Sequence, residues 1–200
     1  SIGAFGEGVF AQADYVPAGK DNCGPRWYTP SEPQAEQAKR EPKLWQVVPG
    51  DDSFAKAIKK AAAGDIIELA AGEYVTTKKI RVSEDLTIRA ADGAKPVIVI
   101  SGDQSTVIGF EIGAAARLSL KGLTIRGDKD GDPLAKYAFA ANKENASNYC
   151  LFVDGCEFSG FNVTEGGALF KAYKNTFADS IVIRNSFIHD CYRGFALAEE

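Results

Sequence analysis

The sequence predicts an all-β fold, a right-handed parallel β-helix (a solenoid) with an N-terminal capping helix. Three observations carry this expectation. Beyond Gly64, apolar residues alternate in short runs of about three to five residues between Gly, Asp, Asn and Ala turns. One phrase recurs three times at solenoid spacing. A single amphipathic helical segment stands just before the alternating region.

The elements follow in chain order. Residues 1–44 are rich in Gly, Pro, Gln and Glu, hold no apolar period, and read as a leader or linker. A helix is expected within Ser31–Glu41, capped by Ser31, with Pro33 in its first turn and Pro42 as its stop. The body then runs over residues 45–200. Asp51-Asp52-Ser53 before Phe54–Ala61 predicts a helix whose N-cap oxygen comes from Ser53 or Asp52. Phe54, Ala57, Ile58 and Ala61 share one face, and Gly64 supplies the left-handed stop. Such a helix has a structural task, because a β-helix otherwise ends in an open apolar bore and an unpaired strand edge.

From Ile67 the period is two. Ile67 and Leu69, Tyr74, Ile80 and Val82, and Leu86 and Ile88 mark successive inward positions. Either Val97 and Val99 or Ile98 and Ile100 come next, then Ile108, Phe110 and Ile112. The repeated phrase is Leu118–Ile125, Leu151–Phe158 and Ile181–Ile188, at offsets of 33 and then 30 residues. Gly122, Gly155 and Asn185 fall at its bend, and these residue types tolerate the left-handed backbone a corner needs. Hairpin dipeptides between clean strands are scarce, which argues against a sandwich. Residues 127–148 read as a long surface loop leaving the coil. Gly194–Glu200 reads as the start of another strand, either covered by a partner chain or continued by further rungs of the same coil.

With 45% hydrophobic and 25% charged residues the chain has the composition of one well-filled core, and its net charge of −4 argues against a nucleic-acid partner. No apolar run approaches the roughly 18 residues of a membrane span. Cys23, Cys150, Cys156 and Cys191 show no metal-like spacing, and Cys156 and Cys191 read as small apolar core residues. Asp128-Lys-Asp130-Gly-Asp132 resembles a calcium loop only in its first positions. Counting from Asp128, the sixth and twelfth places hold Pro133 and Phe139 instead of Gly and Glu. Asn145-Ala-Ser147 and Asn162-Val-Thr164 match short glycosylation acceptors.

Candidate function concentrates in residues 166–198. Lys171, Lys174, Arg184 and Arg193 face only Asp179 and Asp190 there, a local excess of positive charge on an acidic chain. These residues furnish either a groove for a polyanion or a solvated outer face of the coil. Tyr173 and Tyr192 flank them and suit sugar stacking or packing across a turn. His189 is the one histidine, with a pKa suited to proton transfer but a position that equally fits a turn.

Two stretches carry a resemblance. Trp45–Gly50, Phe54–Ile58, Ala63–Ile67 and Ala71–Tyr74 are similar to the opening of many extracellular β-helix proteins. The run Leu169–Cys191 resembles the base-bearing rung of chondroitinase B and the alginate lyases of polysaccharide lyase family six. That resemblance implies a secreted, periplasmic or cell-surface protein that acts on or binds an acidic, uronate-containing polysaccharide such as alginate or chondroitin. The alternative is a β-helix that binds such glycans without cleaving them, or that only presents loops.

The family's β-elimination needs a neutralised carboxylate, a base for the C5 proton and help for the departing oxygen. By resemblance the base falls on Lys174 or Lys171; the family's Arg falls near Ala198, and Arg193, five residues earlier, is the candidate for charge stabilisation. Tyr173, Arg184, Tyr192 and His189 are then substrate-binding candidates. The family's calcium, held by an Asn and two Glu, is implied as a cofactor, yet Glu165 is the only carboxylate between Thr164 and Leu169. No full metal-ligand set is found, and none is assigned.

Overall fold

The computed structural model describes residues 40–102, 107–141 and 146–199, with side chains to Leu197. The expected leader helix over Ser31–Glu41 falls almost wholly outside these residues, as do Cys23 and Asn145. The described body lies in one compact unit, Glu41–Glu200.

That unit is a parallel β-helix of five rungs, each laid over three faces. The strands run β1 (Leu44–Val47), β2 (Ile66–Leu69), β3 (Gly72–Thr76), β4 (Ile80–Val82), β5 (Leu86–Ala90), β6 (Pro96–Ile100) and β7 (Ile108–Ile112). They continue as β8 (Arg117–Lys121), β9 (Thr124–Arg126), β10 (Asp128–Lys129), β11 (Asp132–Pro133), β12 (Tyr137–Ala141) and β13 (Ser147–Asp154). The last are β14 (Glu157–Ser159), β15 (Ala168–Tyr173), β16 (Phe177–Arg184), β17 (Phe187–His189) and β18 (Phe195–Glu199). The first sheet stacks β1-β2-β5-β8-β13-β16, the second β3-β6-β9-β14-β17, and the third β4-β7-β12-β15-β18. All three are parallel, so the chain visits each face once per turn, and parallel crossovers of this kind are right-handed.

The repeated phrase stacks on itself. Leu118, Leu151 and Ile181 are in register, as are Leu120, Val153 and Ile183, and Ile125, Phe158 and Ile188. Gly122, Gly155 and Asn185 all have positive φ, at 69°, 64° and 50°, so the corner from the first sheet to the second is made at one position in three consecutive rungs. Of the two alternatives for β6, Ile98 and Ile100 face the bore, at 0% and 1% exposure. A ladder of Phe110, Phe139, Phe170 and Phe195 runs up the bore beneath the third sheet, with ring centroids 5.6, 6.3 and 6.2 Å apart.

Helix α1 (Ser53–Lys60) closes the N-terminal end, burying Phe54 and Ala57 with Ile58 and Ala61 packed beside them. Its caps differ from expectation. Asp52 occupies the N-cap in a left-handed conformation and its side chain makes no cap bond, while Ser53 Oγ donates instead to Val48 O at 2.6 Å. The helix stops at an extended Ala61. Gly64 is left-handed (φ 86°) but shapes the following turn, where its N–H donates to Asp85 O.

The surface-loop reading of residues 127–148 is corrected. Among the described residues of this stretch the β10–β11 hairpin leaves the coil, and β12 returns as a fully buried strand of the third sheet. The run Tyr-Ala-Phe-Ala-Ala is apolar enough for a buried strand, but its small alanines hide the period of two. Within the hairpin, Asp128 Oδ2 accepts from Gly131 N at 2.9 Å, so the first acidic residue of the apparent calcium loop closes a tight turn. Cys156 is buried, Cys150 is buried too, and Cys191 packs partly against the core; all three are free thiols.

Candidate functional site

Outward positions on a parallel coil form columns, one residue per rung, at about 4.8 Å steps. On the third sheet one column reads Arg81, Glu111, Ala140, Lys171 and Ala196. Beside it run Ile108, Tyr137 and Ala168, which with Ala196 make a small apolar cluster outside the bore. Ala140 and Ala168 are fully buried in these columns, and Tyr137 and Glu111 are buried beside them.

Glu111 accepts from Lys79 Nζ at 2.7 Å and lies 3.6 Å from Arg81 Nε. Lys171 is buried, at 4% exposure, with its ammonium 5.4 Å from the centre of the Tyr173 ring. Lys136 Nζ sits 5.3 Å from the Tyr137 ring. The Lys136 stem passes over Gly166, where an added Cβ would lie 2.7 Å from Lys136 Cε. From the next rung, Arg193 Nη2 donates to Gly166 O at 3.3 Å, so two cations from different rungs converge on one glycine. Burial holds the Tyr173 phenol above its ordinary pKa, and the neighbouring Tyr137 and Glu111 add to that against the pull of Lys136. Tyr173 therefore keeps its proton in a cation-rich setting.

The sequence candidates thus separate onto three faces. Lys171, Tyr173 and Arg193 belong to the third sheet and its approach, with the exposed Tyr192 6.0 Å beneath the Arg193 guanidinium. Lys174 is exposed in the turn after β15. Arg184 lies on the first sheet, pairing with Asp154 at 3.0 Å, and Asn185 donates to the same carboxylate. His189 ends β17 on the second sheet, held by Asp190 at 2.7 Å and by Glu157 at 2.8 Å. One face does not gather all seven residues, because strand β16 and two corners separate Lys171 from His189. Glu111, Lys136 and Tyr137 were missed. Their signal is register: Glu111 falls at the outward position that Lys171 occupies two rungs on, and Tyr137, with Lys136 beside it, falls opposite Ala168 at the start of the Lys171 strand, which is visible only once the rungs are aligned.

The calcium implied by the resemblance does not fit these residues. Glu165 stands exposed in a left-handed turn (φ 62°), and among the described residues no three His, Cys, Asp or Glu side chains are grouped to hold a metal ion. The positions where a second carboxylate is expected hold Gly167 and Leu169. A Cβ at Gly167 would lie 2.5 Å from Phe161 O, so the backbone packing there leaves no room for an acidic side chain.

The coil and its three parallel faces define a parallel β-helix, the architecture that the matching solved lyases share. The solved PL6 family alginate lyase AlyGC matches at 30% identity and a TM-score of 0.65, over 87% of this chain and 23% of that one. An arginine-to-alanine mutant of AlyGC matches at 31% identity and a TM-score of 0.63, with the same coverage. The chain therefore has a PL6 alginate lyase-like fold, and it spans 23% of the length of the lyase structures it matches. No family model and no curated protein matches it. Among the described residues no helix is long and apolar enough to cross a membrane.

Proposed function

We propose that this β-helix handles an acidic, uronate-containing polysaccharide in the groove on the outer face of its third sheet, outside the cytoplasm. The observation that carries this reading is the convergence of Lys136, Lys171, Arg193 and Tyr173 on one face of a lyase-like coil whose net charge is −4. Cations there neutralise uronate carboxylates, and the half-buried Tyr173 ring offers a surface for a sugar ring.

In the catalytic form of the proposal, the Lys171 amine takes the proton from C5 of the uronate. The freed electron pair forms the C4–C5 double bond, the bond from C4 to the glycosidic oxygen breaks, and that oxygen takes a proton from Tyr173. Lys136 and Arg193 hold the carboxylate whose charge would otherwise oppose loss of the C5 proton. Lys171 is preferred to Lys174 because it shares the column with Glu111, whereas Lys174 stands in the turn beyond the strand.

A second reading, binding without cleavage, is favoured by the burial of Lys171 and by the poor fit of the calcium ligand set. Alginate and chondroitin incubations separate the two. Elimination gives a rise in ultraviolet absorbance from the unsaturated product, and Lys171→Ala should lower the rate by about 100-fold or more. Saturable binding without new absorbance leaves the binder. An absence of binding to either glycan contradicts both.

A further inference from the structure

At the N-terminal end of the same outer face, α1 and β4 border a cavity of about 590 Å³. Five cations line it: Lys56 and Lys59 from the helix, Lys78 and Lys79 from the entry to β4, and Arg81 within β4. Asp52 is the one carboxylate in its wall, and Glu111 engages Lys79 and Arg81 from the adjoining rung. Ile58 and Ile80 supply apolar surface between the charges. The macrodipole accounts for a lysine in the last turn of a helix, and so for Lys59. It does not account for Lys56, nor for Lys78 and Arg81, which come from a different element and border the same space.

Arg81 also heads the column that leads through Glu111 and Ala140 to Lys171. Three rung steps separate Arg81 from Lys171, about 14 Å along the coil, so a linear glycan seated at Lys171 reaches the cavity with a few sugar units. The cavity offers alternating cationic and apolar surface, which matches a chain of sugar rings bearing regularly spaced carboxylates.

We propose that this cavity is a distal subsite for the carboxylates of a uronate polymer, lengthening the groove toward the capping helix. The inference rests on the reading of the third sheet as the polysaccharide groove.

The test compares a triple variant, Lys56→Gln, Lys59→Gln and Lys78→Gln, with the unmodified chain for binding to alginate trimer and to polymeric alginate. The variant should bind the polymer about tenfold more weakly and with a shallower salt dependence. Trimer binding should be unchanged, and the matching triple Arg variant should bind polymer as the unmodified chain does. Equal polymer binding by the Gln variant overturns the subsite and leaves the groove standing. A parallel loss of trimer binding also overturns it, since the lysines would then not act at a distance. Failure of the unmodified chain to bind either ligand overturns the groove reading itself, so the two failures are told apart.

Discussion

Asp65 shows how one residue ties the cap to the coil. It is fully buried, and its carboxylate accepts from the Lys43 N–H at 2.9 Å, the Trp45 indole at 3.0 Å and the Ala62 N–H at 2.8 Å. Asp65→Ala strands three donors where water cannot replace the acceptor, so unfolding free energy should fall by about 3 kcal/mol in denaturant titration. A loss below about 1 kcal/mol would mean that the bonds are replaced locally. The Ala63-Gly-Asp-Ile-Ile67 phrase marks this position in the sequence, but two of its three donors come from the distant β1 segment and only the fold reveals them. Tyr74, the aromatic of the next motif, is likewise legible as buried. The structure adds that its hydroxyl lies 2.9 Å from Val47 O and 2.8 Å from Ala70 O, with its ring edge-on to Phe54.

At the scale of elements, strand pairing was readable wherever the repeat carried large apolar residues. The phrase at Leu118, Leu151 and Ile181 gave both register and corners. It failed at β12, where alanines blur the alternation, and at the caps of α1, where chain geometry fixes the termini instead of side-chain oxygens. The sequence candidates looked contiguous because they lie within 33 residues of chain, yet a solenoid distributes neighbouring segments over three faces. Residues a whole number of rungs apart, such as Glu111 and Lys171 two rungs apart, share a face instead.

His189 joins two strands of one sheet, since its Nε2 partner Glu157 lies on β14 and His189 itself on β17. The bond to Asp190 first, and that to Glu157 second, raise the His189 pKa above its ordinary value. A raised folded pKa stabilises the protein below the unfolded pKa of about 6.5, and that contribution fades as pH rises through the higher folded value. Thermal unfolding of His189→Gln against the unmodified protein should therefore differ more at about pH 5.5 than at about pH 8.5. An equal difference at both pH values would show that the ring acts by packing on Phe187, whose centroid is 4.6 Å away.

Across the whole molecule, charge is organised by face. The first sheet carries Glu68, Arg89, Lys121, Asp154 and Arg184 in one outward column, where opposite charges pair at 3.0 Å in Glu68–Arg89 and Asp154–Arg184. Its charges largely satisfy one another. The third sheet gathers Lys79, Arg81, Lys136, Lys171 and Arg193 around Glu111 and two tyrosines, a surplus of positive charge suited to a polyanion. Overall charge pointed away from nucleic acid, but it could not show that an acidic chain concentrates cations on one face.

The most direct test of that claim is lysine acetylation footprinting by mass spectrometry, with and without polymeric alginate at low salt. Labelling of Lys79 and Lys136 on the third sheet should fall on adding alginate, while labelling of Lys121 on the first sheet should not change. Protection of Lys121 with Lys79 and Lys136 still labelled, or no protection anywhere, would contradict the assignment of the groove.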